Sequence, residues 1–197
     1  MSATKPQVIV VAGPNGAGKS TLAPYLLNDA FGLLEYVNAD TIALGLSAFS
    51  PESVAFKAGR IMLERLHDLA RSEASFAFET TLASRSYAPR IDALKGRGYG
   101  FHLLYLWLRT PELAVERVKE RVRLGGHDVP EGTILRRYER GLRNFFTLFM
   151  PLADTWAFYD NSTADNPSLI ATGKRDDDVT VYDADSWRKV KGQRNAN

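Results

Sequence analysis

No cysteine occurs among the 197 residues, which excludes disulfides, thiolate metal sites and cysteine nucleophiles, and fits a cytoplasmic protein. The chain also lacks an excess of either charge. Its 25 Lys+Arg against 23 Asp+Glu leave a formal +2, too little to draw nucleic acid to the surface as a whole, so any basic patch is local. No apolar run approaches the roughly 20 residues of a membrane helix, and residues 1–6 lead into the first apolar run without a leader-like stretch; neither signal peptide nor membrane partner is expected. Internal repeats and low-complexity tracts are absent. With 45% apolar residues, the length suits one core, hence one domain over 1–197 with flexible ends at 1–6 and 193–197.

What is present begins at Gly13-Pro14-Asn15-Gly16-Ala17-Gly18-Lys19-Ser20, which completes the pattern G-x-x-x-x-G-K-[ST] directly after the apolar run Val8-Ile9-Val10-Val11-Ala12. Glycines let the backbone wrap a phosphate with its N–H groups turned inward, and the following helix adds the positive end of its dipole. Lys19 then reaches the β/γ-phosphates of a nucleoside triphosphate, and the Ser20 hydroxyl is placed for Mg²⁺. Gly13 to Ser20, with Thr21 behind them, are the expected nucleotide-binding residues. ATP is the expected nucleotide, with GTP as an alternative. Pro24 falls just past the first turn of that helix, where it removes a donor and can bend the chain.

Further apolar runs at 36–38, 76–79, 100–108 and 155–159 alternate with helical patterns at 53–72, 85–97, 111–123 and 131–149. That alternation predicts an α/β fold, a parallel sheet with crossover helices. Ser50 with Pro51, and Thr110 with Pro111, are plausible helix starts. From 162 to 178 the sequence turns polar, and a short strand is expected at 179–182. The run Asp176-Asp177-Asp178 reads as a solvated turn, since no periodic ligand spacing surrounds it.

A phosphate loop alone permits hydrolysis, switching, transport or transfer, so the acceptor side decides. Two apolar runs end in acids, and in an open parallel sheet ligands bind beyond the carboxyl ends of strands. Asp40, after Val37-Asn38-Ala39, could take the proton of an attacking hydroxyl, or could simply cap the helix that follows. Glu79, closing Ser75-Phe76-Ala77-Phe78, suits Mg²⁺ organisation or a contact to a substrate hydroxyl. Residues 117–143 are basic, with Arg117 and Arg121 on one helical face, and Gly125-Gly126 between two basic helices suggests a hinged lid. Guanidinium groups there could clamp the γ-phosphoryl, although Lys119, Arg140 and Arg143 read as a solvated face. His127 reads as structural.

With the loop, Asn38-Ala39-Asp40, Phe78-Glu79-Thr80-Thr81 and Gly125-Gly126-His127-Asp128-Val129-Pro130, the chain resembles the zeta-toxin family of P-loop kinases, in its short single-domain branch, over residues 7–161. The resemblance implies a P-loop three-layer sandwich with a central parallel sheet and a helical, arginine-bearing lid. It implies phosphorylation of a sugar hydroxyl on UDP-N-acetylglucosamine, and an antitoxin protein as partner. Lys19 would be the phosphate lysine, Ser20 the Mg²⁺ hydroxyl and Asp40 the base. Glu79 and Thr81 would contact substrate, and Arg123 and Arg137 would be the phosphate arginines, with Arg121 competing with Arg123 and Arg136 with Arg137. Better-known toxins are longer and carry Gly where this chain has Thr80.

The expected function is therefore ATP-dependent phosphorylation of a small-molecule hydroxyl. A polynucleotide or nucleoside kinase shares the loop, the acid and the arginines, but no aromatic-basic groove is apparent to guide nucleic acid. A nucleotide-dependent switch would need mobile switch loops, for which there is no signature.

Overall fold

The computed structural model describes residues 5–31, 35–163, 167–174 and 178–194. In β1 (Gln7–Ala12), Val8, Val10 and Ala12 point into one core while Ile9 and Val11 point into another, and none of the five is exposed to solvent. A strand apolar on both faces must be covered on both. On one side, α1 (Lys19–Phe31) lays Ala23 and Leu27 against Ile9 and Val11. On the other, a larger cluster collects Met62 and Leu66 of α3 (Ala55–Arg71), Ile91 of α4 (Tyr87–Gly96), Val118 of α5 (Pro111–Arg123) and Ile134, Tyr138 and Leu142 of α6 (Glu131–Asn144). The result is the helix–sheet–helix arrangement of a P-loop kinase fold.

The remaining strands are β2 (Tyr36–Val37), β3 (Phe76–Thr80), β4 (Gly100–Trp107), β5 (Thr155–Asp160), β6 (Ser168–Lys174) and β7 (Asp178–Val181). Their order in the sheet is β2-β3-β1-β4-β5-β6-β7. The first five run parallel, and β6 and β7 are antiparallel. The chain leaves β1 for the outer β2, returns to β3, and crosses to β4 on the other side of β1. The carboxyl ends of β1, β2 and β3 therefore meet at one sheet edge, where such folds bind ligands. No helix among the described residues is long and apolar enough to cross a membrane.

Several expectations change. Lys5 and Pro6 are tied down, their carbonyls accepting from Gln7 Nε2 at 2.6 Å and Gly100 N at 2.9 Å; residues 1–4 lie outside the described residues. The polar stretch after 162 contains β6, which buries only Ile170, Ala171 and Gly173. An edge-region strand with so few apolar positions gives little sequence signal. Asp176 and Asp177 lie outside the described residues, while Asp178 opens β7. The tail expected to be flexible from 193 begins inside α7 (Ala184–Arg194). There Gln193 Nε2 donates to the Arg109 carbonyl at 2.8 Å, and Gln193 Oε1 accepts from Trp107 Nε1 and Tyr138 Oη at 3.2 Å each. Residues 195–197 lie outside the described residues. The helix expected to run to 149 widens after Asn144 into a π turn, Phe145–Phe149, which seats Phe145 against Tyr105 and Phe158 with ring centroids 5.0 Å apart in each pair.

Candidate active site

The loop after β1 is built on backbone that side chains resist. Gly13, Gly16 and Gly18 have φ of +145°, +76° and +77°. A Cβ on Gly13 would stand 2.2 Å from the Leu106 carbonyl oxygen, and one on Gly18 would stand 2.7 Å from Asn161 Nδ2, so β4 and the residue that follows β5 press directly against the loop. Ala17 N donates back to the Pro14 carbonyl at 3.2 Å, and α1 starts at Lys19 with no acid in its first turn. This concave run of backbone at a helix N-terminus fits a polyphosphate. Pro24 lies within α1 without ending it.

Lys19 and Glu79 form the buried centre. Lys19 is 6% exposed; its Nζ donates to the Pro14 carbonyl at 2.8 Å and lies 3.6 Å from Glu79 Oε1. Burial lowers the ammonium pKa, and the Glu79 and Asp40 carboxylates oppose that shift. Glu79 Oε2 accepts three hydrogen bonds, from Tyr36 Oη at 2.6 Å, Ser20 Oγ at 2.7 Å and Asn38 Nδ2 at 2.8 Å. Burial, then the neighbouring Glu79 charge, pushes the Tyr36 phenol well above its ordinary range, so it stays a donor. The sequence assigns a role to neither Tyr36 nor Asn38: Tyr36 reads as a strand residue and Asn38 only as part of Asn38-Ala39-Asp40.

Mg²⁺ in phosphoryl-transfer sites takes one or two protein oxygens plus phosphates and water. No cluster of three His, Cys, Asp or Glu side chains fit for a metal exists among the described residues, and none is needed here. Ser20 Oγ and the Glu79 carboxylate stand together at the loop's end, which suits Ser20 as a direct ligand and Glu79 as a ligand or as the acceptor for a metal-bound water.

Asp40 does not cap α2 (Ala39–Leu46). Asn38 does, its Oδ1 accepting from Asp40 N at 2.8 Å and Thr41 N at 3.4 Å. The capping alternative for Asp40 is thereby overturned, because Asn38 at the end of β2 already supplies the acceptor and Asp40 falls inside the first turn. Its carboxylate is half-exposed, with Oδ2 3.4 Å from His127 Nε2. A hydrogen bond from His127 is the main cause holding its pKa below the ordinary carboxylate value; burial opposes, and the charges of His127, Lys19 and Arg121 assist. Thr81 lies on the same wall, held by α6: Asn144 Nδ2 donates to the Leu82 carbonyl at 2.7 Å, and a Cβ on Gly141 would stand 2.3 Å from the Thr81 carbonyl oxygen. One cleft gathers Asn15, Lys19, Asp40, Glu79, Thr81 and Arg137.

The arginines separate. Arg121 Nη2 donates to the His127 carbonyl at 2.9 Å, and its Nε is buried with no acceptor among the described residues. Arg137 Nη1 reaches Asn15 Oδ1 at 3.4 Å. Burial lowers both guanidinium pKa values, and the Asp40 charge opposes that in each. Arg123 is instead 78% exposed and paired with Glu120 on the outer side of α5, so the structure places it outside the cluster. Four residues is close to one helical turn and two residues is half a turn away, so Arg121 shares the stripe of Arg117 and Arg123 cannot. Arg117 binds the carbonyls of Asn161 at 2.7 Å and Ser162 at 3.0 Å, fastening α5 beside the loop. Arg136 and Arg140 line an adjoining cleft with Thr80, Thr81 and Ser84. His127, read as structural from sequence, lies among these groups; a loop histidine carries no periodicity that could have marked it.

A family model described as an AAA domain matches residues 8–141. The chain belongs to the AAA domain family. A Haemophilus influenzae relative described as an uncharacterized protein is 31% identical to this AAA-domain protein over 132 residues, 67% of this chain and 92% of its own. Among solved structures, the AvrRxo1-ORF1:AvrRxo1-ORF2 complex with sulphate ions is similar at a TM-score of 0.75 and 16% identity, covering 98% of this chain and 65% of that one. That complex has also been solved with ATP, at a TM-score of 0.72 and 16% identity, again covering 98% of this chain and 65% of that one. The PezAT chromosomal toxin-antitoxin system of Streptococcus pneumoniae is similar at a TM-score of 0.67 and 18% identity, covering 96% of this chain and 80% of that one. At these identities the structures share the fold with the AAA-domain protein, and the zeta-toxin resemblance stands at that level.

Proposed function

We propose that the chain is a kinase that transfers the γ-phosphoryl group of ATP to a hydroxyl of a small molecule. The observation that carries this reading is that one cleft holds Lys19, at the start of the phosphate loop's helix, and a half-exposed carboxylate, Asp40, kept ionised by its neighbours. A hydrolase needs only water at that position, whereas a carboxylate facing an open cleft can take the proton of an alcohol.

In this mechanism the loop backbone and Lys19 hold the β- and γ-phosphates, and Ser20 and Glu79 would hold Mg²⁺, which would supply charge neutralisation. Asp40 accepts the hydroxyl proton as the acceptor oxygen bonds to the γ-phosphorus. The bond from that phosphorus to the β–γ bridging oxygen breaks, and ADP leaves with the electron pair. Arg121 and Arg137 balance the charge that spreads over the transferring group. Thr81 and Glu79 border the acceptor's place.

The acceptor class proposed is a sugar nucleotide, UDP-N-acetylglucosamine by the family resemblance. The wall formed by Arg136, Arg137 and Arg140 beside Thr81 supports an acceptor that itself bears phosphate. The ATP-bound AvrRxo1 complex, which shares the fold, supports ATP as donor, with GTP as the alternative. An antitoxin partner is proposed from the same resemblance and from the toxin-antitoxin system that shares the fold. A cytoplasmic location belongs to the same proposal, since ATP is the donor it requires. The test is a screen of sugar nucleotides for incorporation of labelled phosphate from ATP, with nucleosides and single-stranded DNA as competing acceptors. Label in a sugar nucleotide supports the reading; label in DNA alone, or only free phosphate with every acceptor, refutes it.

A further inference from the structure

The Gly125-Gly126 turn does more than separate two helices. Gly125 has a φ of +87°, and a Cβ on Gly126 would stand 2.5 Å from Arg121 Cγ, so the chain after α5 folds back tightly over its own last turn. Gly126 N donates to the Arg121 carbonyl at 2.9 Å. The next residue, His127, is thereby delivered to Asp40 across the cleft, with its side chain only 15% exposed. Nε2 faces two neighbours. Arg121 Nη2, which carries two N–H groups, lies 3.3 Å away and also donates to the His127 carbonyl at 2.9 Å. Asp40 Oδ2 lies 3.4 Å from the same ring nitrogen, so the form of the ring protonated at Nε2 turns that proton toward Asp40.

We propose that His127 is the positioning residue for Asp40, its Nε2–H holding Oδ2 and leaving Oδ1 as the oxygen that meets the acceptor hydroxyl. Because His127 and Arg121 belong to the same folded-back turn, the base is oriented only while the lid arginine is in place, which couples the two. Lowering of the Asp40 pKa chiefly by this hydrogen bond agrees with the geometry. The charged groups facing His127 are Asp40 from α2, Glu52 from the turn before α3, Arg121 from α5, the adjoining Asp128, and Arg137 from α6. The catalytic consequence rests on the kinase reading above; the pairing itself does not.

The test compares His127→Ala and His127→Gln with the parent in two measurements. The first is a ¹³C NMR titration of the Asp40 carboxyl in nucleotide-free protein, which needs no turnover. Without the imidazole donor the Asp40 midpoint should rise toward the ordinary carboxylate value, while the amide of Gln should hold it near the parent's. The second is the pH profile of phosphoryl transfer. His127→Ala should lower kcat by about tenfold with nucleotide affinity unchanged, and move the acid limb upward with the NMR midpoint. His127→Gln, the variant closer in size, should recover most of the rate. The double variant with Asp40→Asn should be no slower than Asp40→Asn alone. An unmoved Asp40 midpoint, or deficits that multiply in the double variant, would overturn the proposal. A midpoint that moves while Asp40→Asn leaves transfer intact would support the pairing and refute Asp40 as base.

Discussion

Replacing Glu79 by Gln tests the architecture of the site without touching its shape. Glu79 is 9% exposed at the side chain, accepts three hydrogen bonds on one oxygen, and is the nearest opposite charge to a buried Lys19. The amide oxygen can stay where Oε2 accepts from Tyr36, Ser20 and Asn38, but the NH2 then takes the place of Oε1 and turns a donor toward the buried Lys19 ammonium. An unsatisfied buried polar group costs about 1–3 kcal/mol, and leaving a buried charge without its partner about 3–5 kcal/mol. Lys19 retains the Pro14 carbonyl and its distance to Glu79 is 3.6 Å, longer than a hydrogen bond, so the lower part of this range applies. We expect a loss of about 3 kcal/mol. A chain of this size shifts about 2–4 °C per kcal/mol, so Tm should fall by about 6–12 °C. Calorimetry of the nucleotide-free protein reads this directly. A fall of under about 2 °C would refute the buried Lys19–Glu79 centre, whatever the effect on activity.

Four further outcomes follow from the same geometry. Lys19→Ala should abolish transfer and weaken ATP binding while the fold survives, because Glu79 keeps its three neutral donors; labelled-phosphate transfer and circular dichroism check both parts. Gly13→Ala should lose nucleotide binding, since its Cβ would lie 2.2 Å from a fixed β4 carbonyl; titration with a fluorescent ATP analogue reads the loss. Arg121→Ala should reduce turnover far more than nucleotide affinity, whereas Arg123→Ala, exposed and paired only with Glu120, should stay within about twofold of the parent in both. In the parent, the Asp40 carboxyl is held below its ordinary value, so its charge persists as pH falls and is lost only below the usual carboxylate range; kcat should show no acid limb from this group above that range.

The phosphate loop was legible because its chemistry is local: three glycines with positive φ, a lysine and a hydroxyl all fall between Gly13 and Ser20. The acids were legible for a related reason, since Asp40 and Glu79 follow apolar runs whose carboxyl ends a parallel sheet brings together. The capping of α2 was not, because Asn and Asp cap equally well, and it is the folded chain that keeps Asn38 extended and puts Asp40 inside the helix. The choice of Arg121 over Arg123 was within reach, as helical periodicity alone puts Arg121 with Arg117. Tyr36, His127 and Gln193 act through tertiary contacts to Glu79, Asp40 and Arg109, and nothing in their sequence neighbours encodes those partners. β6 was hidden by polar composition, its pairing with β5 being supplied by the backbone.

In the proposed mechanism Asp40 takes the acceptor proton, and Asp40→Asn removes that capacity alone. The substitution keeps size and leaves the Asn38 cap untouched, since that cap needs only the backbone N–H of residue 40. The measurement is the initial rate of phosphate transfer from labelled ATP to UDP-N-acetylglucosamine, alongside nucleotide affinity and Tm. We expect a fall of roughly 10²–10⁴-fold in rate with the other two nearly unchanged. A rate within a few-fold of the parent would contradict it and move the role of base to Glu79.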